Sequence, residues 1–128
     1  MRIPKDMEPM VFSFAYYNVR DFDKLATFLQ TMENKGFFIV DEHKPKKKKF
    51  VGSFVRDYPK GHWSPFAHRP GAKQVMGSAN IRDGVLKLEA RTKGTLDDFR
   101  KIIDENLADS VEFDRVEYRD IIKELMQK

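Results

Sequence analysis

The chain has no cysteine, so it carries no disulfide framework, no thiolate zinc site and no thiol nucleophile. No apolar run approaches the roughly 20 residues needed to span a bilayer. Met1 to Pro9 hold no apolar stretch of the kind a secretory signal requires. Glycine is sparse, at seven residues, and never falls in the spacing of a phosphate-cradling loop. Gly77-Ser78-Ala79 lacks the second glycine of a nucleophile elbow. Adjacent acids such as Asp97 and Asp98, or Asp104 and Glu105, point to different sides of a helix and read as a solvated face. These absences lead to the expectation of a cytoplasmic protein without membrane attachment, bound cofactor or recognisable catalytic centre.

What is present is a real core and an uneven distribution of charge. At 128 residues, 41% hydrophobic with 11 Phe, the chain suits a single domain, 1–128. Residues 1–9, with Pro4 and Pro9, read as a loose N-terminal arm. From His43 to Lys73 stand nine of the 24 Lys and Arg but one of the 20 acids, Asp57, leaving 15 bases and 19 acids elsewhere. Five of the aromatics, Phe50, Phe54, Tyr58, Trp63 and Phe66, share that basic stretch. A cationic segment interleaved with rings is the signature a polyanion would seek. From Thr95 onward acids outnumber bases, so that end is suited to repelling nucleic acid or docking a basic surface.

Val11 to Tyr17 is apolar and aromatic, which predicts a buried strand. Asp21 can cap a helix whose Phe22, Leu25, Phe28, Leu29 and Met32 keep one face, with Gly36 to end it. Phe37 to Glu42 predicts a second strand. The basic loop 43–49, His43-Lys44-Pro45-Lys46-Lys47-Lys48-Lys49, predicts a hairpin tip. Phe50 to Tyr58 alternates, with Phe50, Gly52, Phe54, Arg56 and Tyr58 on one face and Val51, Ser53 and Val55 on the other. Residues 59–73 read as an irregular loop, long enough to be functional. Gln74 to Ile81 and Val85 to Arg91 flank Asp83-Gly84, a strong hairpin-turn signal. Thr95 predicts the cap of a second helix, with Leu96, Phe99, Ile102, Ile103 and Leu107 buried and Asp97 and Asp98 in its first turn. Val111 and Phe113 predict a short strand, and Tyr118, Ile121, Ile122 and Leu125 a terminal helix.

Serial hairpins require antiparallel pairing, and two amphipathic helices can cover one face. The expected class is therefore α+β: a two-layer antiparallel sheet of about five strands packed by two helices, in the order β-α-β-β-β-β-α-(β)-α. That order is similar to the TATA-binding-protein-like group of folds. A ferredoxin-like arrangement is the rival, and neither likeness assigns an activity.

The lysine run cannot pack inward, because an unpaired ammonium is too unfavourable to bury. It predicts either phosphate contact or a solubilising tip that discourages edge pairing. Phe50 and Phe54 have the spacing of core residues, which leaves Tyr58 and Trp63 as stacking candidates. His43, His62 and His68 lie among cations with Asp57 as the nearby acid, so no metal site is expected. The leading expectation is a nucleic-acid-binding module, with RNA or single strands favoured. Lys44, Lys46, Lys47, Lys48, Lys49, Lys60, Arg69 and Lys73 would meet the backbone, while Arg56, Tyr58, His62 and Trp63 would meet the bases. The alternatives are a protein-interaction or regulatory domain using the Trp63 loop against an acidic protein surface, and a small enzyme on an anionic substrate using His62 and His68. An open sheet edge leaves a homo-oligomer open.

Overall fold

The computed structural model describes residues 11–58 and 69–119, and the order along them is strand, helix, four strands, helix, strand. The strands are β1 (Phe12–Val19), β2 (Phe38–Lys44), β3 (Lys49–Asp57), β4 (Lys73–Arg82), β5 (Val85–Ala90) and β6 (Val111–Arg119). The helices are α1 (Phe22–Asn34) and α2 (Lys93–Asn106). All neighbours in the sheet pair antiparallel, in the order β2-β3-β4-β5-β1-β6. This is the two-layer α+β class, with six strands rather than about five. The β5–α2–β6 unit straddles β1, a split βαβ element of the kind ferredoxin-like folds contain, and the sheet continues three strands beyond it.

Local chemistry explains the element ends. Asp21 caps α1 by accepting from the Lys24 backbone N–H. At the other end Gly36 takes φ 87°, its N–H donates to Glu33 and the Phe37 N–H reaches back to Met32. That pair of bonds is a Schellman closure, which needs the left-handed residue glycine supplies. Asp83 and Gly84, at φ 54° and 77°, form the two-residue turn between β4 and β5. The 43–49 segment is the expected hairpin tip: β2 runs through Lys44, a single 3-10 turn covers Pro45–Lys47, and Lys48 at φ 50° turns the chain into β3 at Lys49.

Three expectations are corrected. The cap of α2 is Thr92, whose hydroxyl accepts from the Thr95 N–H, so the helix starts earlier and its first turn holds no acid. Val111 and Phe113 open a nine-residue strand, not a short one, and Tyr118 lies in that strand rather than in a helix. Pairing along β1 from Val19↔Val111 to Phe12↔Arg119 overrides the helical spacing of Tyr118. The remaining positions of the expected terminal helix, Ile121, Ile122 and Leu125, lie outside the described residues.

Both helices cover one face of the sheet. Leu25 and Leu29 of α1, and Leu96, Phe99 and Ile103 of α2, join Tyr17, Phe38, Phe50, Phe54, Ile81, Leu86 and Leu88 in one buried cluster. Phe54 stacks on Phe99 at 4.1 Å and meets Phe38 edge-on at 5.1 Å. Each such ring contributes about 1.5–3 kcal/mol by burial. Several inward strand positions are small: Ser13, Ala15, Ala79 and Ala90 are buried, and a Cβ on Gly77 would sit 2.4 Å from the Phe99 ring. Small residues there let the helix side chains reach the sheet. That close approach decides what the other face looks like.

Candidate functional site

Among the described residues no helix covers the second face of the sheet. Side chains alternate along a strand, so every residue between the small core positions points to this side. In β1 these are Phe12, Phe14 and Tyr16, all half-buried, separated by the fully buried Ser13 and Ala15. The expected buried strand at Val11 to Tyr17 is thus corrected: three of its four aromatic residues face outward. Register extends the row sideways, with Phe14 opposite Glu89 of β5 and Glu117 of β6, and Tyr16 opposite Lys87 and Arg115.

Cations lie over the rings. Lys87 Nζ stands 4.9 Å from the Phe14 centroid, and the Arg115 guanidinium 4.2 Å from that of Tyr16. Arg115 also donates to Glu117 at 3.0 Å and pairs with Asp114. The Arg115 hydrogen bond holds the Glu117 carboxyl below its ordinary range. The Tyr16 hydroxyl donates to Glu117 at 3.3 Å, and burial followed by the charge of Glu117 raises its pKa.

Beside the rings is a recess of about 290 Å³. It exists because β5 ends at Ala90, opposite Gly77, while β4 runs on to Lys73, and because Met76 is an extra residue where Phe54↔Gly77 gives way to Val55↔Val75. A bulge of this kind bends the strand away from its neighbour. Phe12 and Val75 wall the recess, Ser53 and Ser78 line its floor, and Glu89 and Arg91 stand at its side.

The expected contact residues fall into two groups. Lys46, Lys47 and Lys48 are exposed at the tip of the β2–β3 hairpin, where Lys44 and Lys49 share Glu42 at 2.9 and 3.3 Å. Hydrogen bonds from Lys44 and then Lys49 lower the pKa of that carboxyl. Arg56, Tyr58, Arg69 and Lys73 lie at the opposite end of β3, nine residues and about 26 Å away at the rise of a strand. There Arg56 Nε donates to Gln74 at 3.1 Å, and Lys73 pairs with Asp57 at 2.6 Å. The strand separates the two groups into distinct cationic ends. Lys60, His62 and Trp63, with His68, lie outside the described residues.

Phe50 and Phe54 are core residues, matching their spacing, and Val55 on the alternate face is also buried. His43 faces inward at the edge of α1, its Nδ1 2.9 Å from Gln30 Nε2 and its ring beside Phe50. No cluster of three metal-ligating side chains occurs among the described residues, and no helix there is long and apolar enough to cross a membrane. Reading the sequence alone misses Phe12, Phe14 and Tyr16. The usable signal is the small residue after Phe12 and after Phe14, Ser13 and Ala15, which marks the inward face.

The arrangement offers rings for stacking, cations for phosphate, and, among the described residues, hydrogen-bonding groups without a partner in a recess. Comparison with protein-family models, curated proteins and solved structures gives no match.

Proposed function

We propose that the protein is a non-catalytic module that binds single-stranded nucleic acid, RNA in preference, across the sheet face that no helix covers among the described residues. The observation that carries this is the row Phe12, Phe14 and Tyr16, half-exposed on one strand with Lys87 and Arg115 over the rings. Rings two residues apart recur every ~6.8 Å, twice the 3.4 Å rise of a stacked strand, which leaves room for a base against each. Stacking on aromatic side chains with cations along the backbone is how sheets hold unpaired bases. Lys46, Lys47 and Lys48 stand at the Tyr16 end of the sheet, three strands across, and would extend the electrostatic track. A cytoplasmic location goes with a cysteine-free chain that serves this role.

The test is fluorescence anisotropy of a labelled oligo(U) strand against a duplex of the same length. Phe14→Ala and Tyr16→Ala should each weaken single-strand binding by about 5- to 150-fold, the equivalent of roughly 1–3 kcal/mol per stacked base. Both side chains are half-buried, outside the helix-covered cluster, so thermal unfolding should shift little. Wild-type affinity in both variants would refute the proposal. A second reading, a protein-docking surface, is favoured by Ile39 and Val75, which are 44% and 58% exposed on or beside this face. It is the survivor if no oligonucleotide binds.

A further inference from the structure

We infer that the recess at the end of β5 is a subsite for one guanine base. This rests on the nucleic-acid reading and assigns a specificity within it. At about 290 Å³ the recess falls just under the about 300–1,000 Å³ of drug-sized ligand pockets, a space for a single base rather than a stretch of chain. Phe12 supplies a ring at its wall.

Its polar groups narrow the choice. Glu89 of β5 and Arg91, one residue past its end, both line the recess two residues apart, so their side chains start roughly 6.8 Å from one another. Among the described residues neither side chain has a hydrogen-bond or ion-pair partner, although each borders a cavity. The half-buried Glu89 carboxylate is free to accept from a ligand's donors in place of water. A carboxylate accepts from two adjacent N–H groups, and a guanidinium donates to two adjacent acceptors. Guanine alone among the four bases has two neighbouring donors, N1–H and the N2 amino group, beside two acceptors, O6 and N7. Glu89 takes the donor edge and Arg91 the acceptors, the latter a common pairing of arginine with guanine. Adenine and cytosine offer one amino donor beside an acceptor that would face the carboxylate, and uracil offers one N–H between two carbonyls. Ser53 and Ser78 on the floor can donate or accept and do not discriminate.

The experiment titrates the full 128-residue chain with labelled nine-mers of uridine carrying G, A or inosine at the centre. Guanine should bind on the order of ten-fold tighter than adenine, the scale of one good bidentate contact. Inosine, which lacks the N2 amino group, should fall between them. Glu89→Gln should erase the difference between G and A while leaving binding to the all-uridine strand intact or slightly tighter, since a negative charge is removed. Equal affinity for all central bases, with the all-uridine strand still bound, overturns the guanine assignment and leaves the stacking face standing. No binding to any strand overturns both. The comparison of G with inosine on the unaltered chain decides the matter even if Glu89→Gln fails to fold.

Discussion

Replacing the three lysines at the tip of the β2–β3 hairpin isolates the electrostatic component of binding. Lys46, Lys47 and Lys48 are exposed, whereas Lys44 and Lys49 already hold Glu42. A cation engaged with a carboxylate gains less from a phosphate, so the three free ammonium groups carry most of the effect. On a single strand each neutralised phosphate contributes about 0.7 to the slope of log affinity against log salt, so losing three should flatten it by about 2. Lys48 sits at φ 50°, where most side chains are strained, so it is best changed to Asn, with Ser at Lys46 and Lys47. All three are solvent-exposed, and stability should move by no more than about 0.5 kcal/mol. The assay is anisotropy with labelled oligo(U) over a salt series from roughly 50 to 300 mM, and the slope is the readout. Glu42→Gln is the companion: it frees Lys44 and Lys49 and should steepen the slope by up to about 1.4. An unchanged slope in the triple variant would refute phosphate contact at the tip and return the run to edge protection.

Two further predictions concern the frame beneath the site. Tyr17 is buried, its hydroxyl donating to Asp104 at 3.1 Å with Arg100 Nε at 3.4 Å, and burial above all pushes its pKa up to about 12. The native state thus holds that proton more tightly than the unfolded chain, and the stability it confers is present below pH 10 and lost as pH rises toward 12. Two units correspond to about 2.7 kcal/mol, which solvent screening of this part-buried hydroxyl reduces to about 1–2 kcal/mol. Urea unfolding of Tyr17→Phe between pH 10 and 12 should be flatter than wild type by that amount; parallel curves would contradict it. Gly77→Ala places a methyl 2.2 Å from the Glu89 carbonyl oxygen and 2.4 Å from the Phe99 ring. It should lower the unfolding free energy by about 1–3 kcal/mol, the scale of an overpacked core, and a wild-type denaturation midpoint would show that the strand and helix can part without penalty.

The legible parts of the fold are those whose causes lie within a few residues. Asp21 and Gly36 bound α1, Asp83-Gly84 turns β4 into β5, and Phe50 and Phe54 carry a core spacing. The start of α2 is ambiguous in the sequence because Thr92 and Thr95 are both competent caps, and their hydroxyls are bonded to each other. Tyr118 kept helical spacing with residues that follow it, yet pairing with Ser13 across β1 settled its conformation. At the site, the lysines were visible as a run, but not that β3 holds Lys49 and Lys73 at opposite ends of its length.

By itself the chain's order of residues determined its class of structure, its cationic hairpin tip and the absence of thiol chemistry, since each follows from composition or short-range pattern. Which side of β1 would carry its rings was decided only in three dimensions. Phe12, Phe14 and Tyr16 are as apolar as any core residue, and alternation fixes only that they share a side. Phe99, distant in sequence, packs over Gly77 and Phe54, and it shares one buried cluster with Leu96, Ile103 and Ala15, so close packing leaves little volume there for three more rings. The aromatic row is on the face opposite the helices because the helix had already filled the other.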